Sequence, residues 1–433
     1  MARFRLPTAW CFDARHELHA PRAGLPHKPA DYLERCHEVP ERATALYEAL
    51  RAAGLVGGDG VRSLRVEQAE ATEEELRAPA LGGATNCSDF FRTASVHSAE
   101  HVAGLTYTDP ASYCVDGTEE AARVAAGGVL AVTRAVCLGQ AANAFAIVRP
   151  PGHHACTGCG CVTGFCVFNN VAVAAANARL PAWYCGEGTG AVPPQRVLVI
   201  DFDVHHGDGV QQIFYREPGV LYISIHRGAF DAEGLDKAGR DKGFFPGTGL
   251  AAETGDGAGA GFNVNIPFEE TGMGDAEYAL AFERVVMPIA RQFDPELVFV
   301  CAGFDAAAGD LKSQADFALT PACFGFMVRQ AATLAQGRVV VALEGGYDVG
   351  EICAGGVEVM RALQEGHGPG GADGPGGPFG AGAGQVAGGA DRGAACDHAV
   401  DTLQRVVAIQ AEFWACLRDD GLALQPLGEE EKK

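Results

Sequence analysis

The sequence predicts an α/β fold, a central and mostly parallel sheet with helices on both faces. Three observations predict it. First, five segments (Ala144–His154, Arg196–His206, Gly219–Arg227, Pro295–Asp305 and Arg338–Tyr347) run through β-branched apolar residues and stop abruptly at polar ones, as strands buried on both sides do. Second, helical candidates such as the Ala-rich Asn169–Arg179 and Asp275–Phe293 lie between them, and strands alternating with helices signal parallel crossovers. Third, most of the polar residues that could do chemistry fall at the strand ends, where open α/β sheets bind ligands.

Composition agrees. Of 433 residues 48% are hydrophobic and 20% charged, which excludes wholesale disorder, collagen-like repeats and a coiled-coil rod. The 33 Lys and Arg against 55 Asp and Glu leave a net charge of −22. That disfavours direct binding to nucleic acid, which requires phosphate neutralisation, and suits neutral or basic ligands. The opening MARFRLPTAWCF holds too short an apolar stretch for a signal peptide, and no run of 18 apolar residues could span a membrane. The expectation is an intracellular protein, in cytoplasm and/or nucleus, without membrane partners. Its 15 Cys are expected to be reduced thiols, because a large core in a reducing compartment does not need a disulfide framework.

Along the chain, Ala43–Ala53 is a helical candidate within a first hundred residues that show no separate domain boundary. Cys185–Gln195 is a soft insertion before a strand. Gly366–Gly393 has 13 glycines in 28 positions and too few large apolar residues to order itself, so it is expected to be a flexible loop. Ala394–Leu417 then spaces Val400, Leu403, Val407, Ile409 and Trp414 at roughly helical intervals, predicting a last helix docked on the domain. One domain over residues 1–417 is expected, with a charged tail over 418–433.

The densest local signal is Asp201-Phe-Asp203-Val-His205-His206-Gly-Asp208. On a strand, Asp201, Asp203 and His205 project together, and a carboxylate and an imidazole two residues apart make a clamp for a divalent metal that still needs a third ligand. An isolated Asp-x-His reads first as a helix N-cap region or a buried ion pair, ahead of a metal clamp. Three other strand ends change the balance: Pro-Pro-Gly-His153-His154, Ala-Gly-Phe-Asp305 and Glu344-Gly-Gly-Tyr347. Asp305 can complete an Asp/His/Asp set with an open metal position, His153 and His154 can supply acid and base, and Tyr347 can turn its hydroxyl toward a developing oxyanion.

With these motifs in hand, the sequence resembles the zinc-dependent histone deacetylase family, in its class II branch. RPPGHHA (Arg149–Ala155), GFCVFNN (Gly164–Asn170), DFDVHHGDG (Asp201–Gly209), ISIHR (Ile223–Arg227), FFPGTG (Phe244–Gly249), AGFDAAAGD (Ala302–Asp310) and LEGGY (Leu343–Tyr347) run in the family's order over roughly Phe12 to Leu417. The resemblance implies an arginase-deacetylase fold, hydrolysis of N-acetyl-lysine in proteins or peptides to lysine and acetate, and zinc on Asp203, His205 and Asp305. It pairs His153 with Asp201 and His154 with Asp208, each carboxylate orienting an imidazole. It places K+ on Asp201 and Asp203, Ser224, and the backbone of His205 and Ile225. Gly164, Phe165 and Phe245 match the acyl-lysine tunnel, whose apolar walls suit a neutral acetylated side chain.

Tyr347 is the residue that class II members active on acetyl-lysine carry. Phe202 replaces the Trp of many class II members and is expected to face away from the metal. Lys312 matches a gatekeeper position at the tunnel rim, where a positive charge would repel acetylated polyamines and pair with a substrate carboxylate. An acetylpolyamine or other small-molecule amidohydrolase on the same fold is the alternative activity, and a silent acetyl-lysine reader a further one. Cys156-Thr-Gly-Cys159-Gly-Cys161 could bind a second metal or act as a redox switch, but a chain with 15 Cys shows such spacings by chance. His97-Ser-Ala-Glu100-His101 fits an inverted metalloprotease pattern, although a surface helix explains it as well. His16, His19, His27 and His37 are assigned structural or rim roles.

Overall fold

The computed structural model describes residues 6–25, 31–57, 62–77, 112–156, 162–184, 190–228, 243–365 and 395–418. Eight strands, β1 (Thr8–Cys11), β2 (Ser63–Arg65), β3 (Asn143–Ala146), β4 (Val197–Asp201), β5 (Val220–Arg227), β6 (Asn263–Phe268), β7 (Leu297–Ala302) and β8 (Val339–Leu343), form one sheet in the order β2-β1-β3-β8-β7-β4-β5-β6. Every pairing is parallel. All carboxyl ends therefore open on the same edge.

The strands are apolar on both sides because both sides are covered. Leu198, Ile200, Val298, Val300 and Val341 face one core with the helices Glu41–Ala52, Pro321–Ala332, Val349–Gln364 and Asp397–Gln410. Val197, Val199, Phe299 and Val340 face the other with Thr118–Cys137, Asn170–Ala178 and Asp208–Phe214. Phe202 belongs to the first core, 5.7 Å from Phe324 between ring centroids, and so points away from the carboxylates beside it.

Two expectations change. The single helix expected over Asp275–Phe293 is Asp275–Ala281 and Met287–Phe293 joined by a π turn, Phe282–Val286. Pro288 sits in the first turn of the second segment; it has no N–H to donate and its ring crowds the carbonyl four residues back, so the helix widens there. Strands β1, β2 and β6 were not among the five segments; β2 and β6 are the sheet edges, and β6 carries Pro267, tolerated in a strand that pairs on one side only. The last helix ends at Gln410, and Trp414 then ties the chain back by donating from Nε1 to the Gly261 carbonyl at 2.9 Å. The 366–393 loop and residues 419–433 lie outside the described residues. Among the described residues no helix is long and apolar enough to cross a membrane.

Candidate metal centre

The carboxyl ends of β3, β4, β7 and β8 supply the site. Asp201 ends β4, and its two oxygens are fully used: Oδ1 accepts from the Asp203 amide at 3.1 Å, and Oδ2 meets His153 Nδ1 at 3.1 Å and accepts from the Tyr222 hydroxyl at 3.0 Å. Asp203 is equally fixed, accepting from the His205 amide at 2.9 Å and the Gly345 amide at 2.8 Å. Asp305 accepts from the Val204 amide at 2.9 Å. Close approach requires glycine here: a Cβ at Gly303 or Gly345 would come within 2.0 or 2.4 Å of Asp203 Oδ2.

These bonds aim one atom from each of Asp203, His205 and Asp305 at a common point, all three within 4.8 Å of one another. His205 Nδ1 is 3.1 Å from Asp203 Oδ1 and 3.0 Å from Asp305 Oδ2. Burial, then the charge of Asp203, pushes the Asp305 carboxyl up to about 7, so the cluster calls for a cation between its acids. Two carboxylates and one imidazole are a donor set that suits a zinc site with three protein ligands. The residues fit that metal.

His153 and His154 stand beside the cluster, 2% and 3% exposed. His154 Nδ1 is 2.8 Å from Asp208 Oδ1. Burial alone would lower His153, but Asp203 and Asp201 outweigh it and hold its pKa well above the ordinary value. His154 is pulled down to about 4 by burial and by the charge of His153, against the weaker pull of Asp208.

Tyr347 is buried, its ring 5.6 Å from Phe165 and 6.5 Å from His37. Burial and the acids Asp305 and Asp203 raise its pKa well above the ordinary value, which keeps the hydroxyl a donor. Phe245 meets His154 edge-on at 5.0 Å, and Gly164 lies so close that a Cβ there would be 2.4 Å from His154 Cδ2. Phe165 is held at φ +64° with its amide donating to Ser112 Oγ at 2.9 Å. Lys312 is exposed and donates from Nζ to the Tyr347 carbonyl at 2.8 Å. Ser224 is buried one strand over, opposite Asp201 in register, with Oγ 2.8 Å from His226 Nδ1. Thus all twelve candidate residues and Ser224 fall at one edge of the sheet. His97, Glu100, His101, Cys159, Cys161 and His27 lie outside the described residues.

Sequence reasoning missed a second layer. Arg42 donates from Nη2 to the Glu344 carbonyl and from Nε to the Gly346 carbonyl, each at 2.5 Å, and its guanidinium lies 5.3 Å from the Tyr347 ring centroid. Glu38 binds Arg42 at 2.9 Å and Arg149 at 2.6 Å, all three buried. Asp310 accepts from the Tyr347 and Asp348 amides. Phe244 stacks on His205 at 5.0 Å. Glu38 and Arg42 come from the start of the chain without a local motif; a buried Glu and Arg four apart at a helix entry was the available signal.

A parallel α/β sheet with an Asp/His/Asp cluster and two carboxylate-backed histidines at its carboxyl edge is an arrangement suited to a metal-site hydrolase. The histidine pair and Tyr347 narrow it. The histone deacetylase domain family matches residues 36–363, and the chain belongs to that family, in its class II-like branch. It is 36% identical to histone deacetylase clr3 of Schizosaccharomyces pombe, over 96% of this chain and 54% of that protein, and 36% identical to human polyamine deacetylase HDAC10, over 90% and 51%. Among solved structures, the HDA15 HD domain superposes with a TM-score of 0.71 at 32% identity, covering 96% of this chain and 97% of that one, and Clr3 with 0.67 at 33%, covering 95% and 58%. The fold is the arginase-deacetylase α/β fold. The chain spans about half the length of the curated relatives it matches.

Proposed function

We propose that the chain hydrolyses N-acetyl-lysine in proteins or peptides to lysine and acetate, with zinc held by Asp203, His205 and Asp305. The observation that carries this reading is the placement of two histidines, each backed by its own carboxylate, beside a three-donor cluster. Zinc, when bound, acts as a Lewis acid on the acetyl carbonyl and on water. His154, kept neutral, takes the proton from the attacking water and later gives it to the departing lysine amine. His153, kept charged, stabilises the negative charge that builds up and can assist protonation of the amine. The Tyr347 hydroxyl donates to the carbonyl oxygen as it becomes anionic. Asp201 and Asp208 orient the two imidazoles, and Phe165, Phe245 and Gly164 line the passage for the butylene stem, where a free ammonium would lose hydration.

Potassium on Asp201, Asp203, Ser224 and the backbone of His205 and Ile225 belongs to the same proposal. So does the organisation: one deacetylase domain over 1–417 that includes the glycine-rich segment 366–393, followed by a charged tail, and located in cytoplasm and/or nucleus. The alternative substrate, an acetylated polyamine, is favoured by the name of one relative; Lys312 at the rim favours protein or peptide. Acetate release by zinc-loaded protein from an acetyl-lysine peptide and from N⁸-acetylspermidine tests the choice. Turnover of the peptide alone supports the reading, and faster turnover of the polyamine replaces it with the alternative.

A further inference from the structure

Beside the Asp203/His205/Asp305 cluster lies a second convergence, of which the proposed reaction uses only His153. One ligand atom from each of His153, Cys166 and Glu344 lies within 4.8 Å of the others, and all three residues are buried. They come from three segments: the turn after β3, the GFC loop and the turn after β8.

Glu344 is the telling residue. Its Oε2 is fully engaged, accepting from the amides of Gly152 at 2.6 Å and His153 at 3.1 Å. Its Oε1 is buried with no hydrogen-bond partner, in a residue that is 0% exposed. Buried polar atoms are normally satisfied, and one that is not implies a ligand, an ion or a water at that position. Cys166 Sγ accepts only a weak bond from the His154 amide, at 3.4 Å. His153 has Nδ1 on Asp201 and Nε2 3.6 Å from Asp203 Oδ2, so Nε2 is the nitrogen a ligand would take from that looser pair, with Asp201 behind the ring as a carboxylate stands behind a metal-bound histidine.

We propose that His153, Cys166 and Glu344 form a second, regulatory site for a borderline or soft d¹⁰ cation such as Zn²⁺ or Cd²⁺. The mixed nitrogen, sulfur and oxygen donors select that class: Mg²⁺ and Ca²⁺ require oxygen ligands, whereas thiolate and imidazole together favour zinc and its heavier congener. A tetrahedral ion with bonds of about 2.0–2.3 Å sets its ligands roughly 3.3–3.6 Å apart, a spacing inside the 4.8 Å within which the three atoms lie of one another. Binding releases two protons, one from the Cys166 thiol and one from Nε2 of the charged His153, and leaves the fourth position to water.

Occupation engages His153, so the consequence is inhibition when metal exceeds one equivalent. Only this consequence rests on the proposed reaction; the binding itself does not. The test is metal analysis after equilibrium dialysis of the full chain against increasing Zn²⁺, repeated with Cd²⁺ and read by thiolate-to-metal absorption. Wild type is expected to take up a second equivalent, with one sulfur ligand per second cadmium by X-ray absorption. Cys166→Ser and Glu344→Gln should retain the first equivalent and require at least about tenfold more metal for the second, given the 10–100-fold losses that follow damage to the surroundings of metal ligands. A Cys156→Ser, Cys159→Ser, Cys161→Ser triple variant should behave as wild type. In activity assays, excess Zn²⁺ should inhibit wild type at least about tenfold more potently than Cys166→Ser. Uptake that stops at one equivalent, a second cadmium without sulfur, or a second equivalent that survives both single variants or disappears in the triple variant overturns the proposal.

Discussion

The rings of His153 and His154 lie 4.0 Å apart, yet their environments drive them to opposite protonation states. His153 faces the acids Asp201 and Asp203 and is held charged; His154 is buried against that charge and is held neutral, with a pKa lowered to about 4. A base must be neutral to accept a proton, so the rate rises with pH through the His154 pKa. The acid limb of kcat/KM should therefore lie below pH 6.5, and His153→Ala, which removes the positive neighbour, should move it upward. His154→Ala should cost about 10²–10⁴-fold in kcat. Steady-state pH profiles of the two variants check both expectations.

Tyr347 is placed by a framework rather than by its own flexibility. Arg42 binds the carbonyls on either side of Gly345, and Asp310 holds the Tyr347 and Asp348 amides. Tyr347→Phe keeps the ring and these backbone contacts and deletes only the donor. It should lower kcat at least about a hundredfold with zinc retained. Single-turnover rates alongside metal content provide the measurement.

Lys312 bears on substrate choice. Its ammonium on the Tyr347 carbonyl leaves a positive charge at the rim, solvated and worth only about 0–1 kcal/mol in any one pair. Peptides ending in acetyl-lysine with a free carboxylate should turn over better than their amidated counterparts, and N-acetylputrescine poorly. Lys312→Leu should abolish the carboxylate preference. Competing rates for the four substrate and enzyme combinations are the check.

Acid should unfold the chain through Glu38 and His19. Buried Glu38 is opposed by burial, but Arg149 and Arg42 hold its pKa down to about 2; buried His19 is lowered to about 3 by burial and Arg149. Both folded values lie below the ordinary ones, so in both cases the unfolded chain binds the proton more readily and stability falls as pH falls. His19 acts below pH 6.5, and Glu38 adds to it below about 4.5, each by about 1.4 kcal/mol per pH unit until its folded pKa is reached. Glu38→Ala leaves two buried guanidiniums unpaired and should cost about 3–5 kcal/mol. Thermal melts from pH 8 to 4 on wild type and variant measure this.

The five strands that the sequence revealed are those with two neighbours or a long apolar run, because burial on both sides writes itself into composition. β1 also has two neighbours, but Thr8–Cys11 carries no β-branched apolar run; β2 is a three-residue edge strand and β6 an edge strand with a proline, so local pattern was silent there. The metal donors were legible because strand geometry places alternate residues on one side and glycines mark close approach. Arg42 and Glu38 were not, since they reach Glu344 and Gly346 only through folding across some three hundred residues. The unpaired Glu344 Oε1 has no sequence signature either; it is a property of packing.

The central claim is that Asp203, His205 and Asp305 hold one catalytic zinc, and Asp305→Ala tests it most directly. Zinc content and turnover of an acetyl-lysine peptide should be measured together on protein whose melting curve shows it folded. The account predicts that the variant loses both the tightly held zinc and all measurable hydrolysis. Unchanged turnover in variant protein with its metal content verified would contradict it.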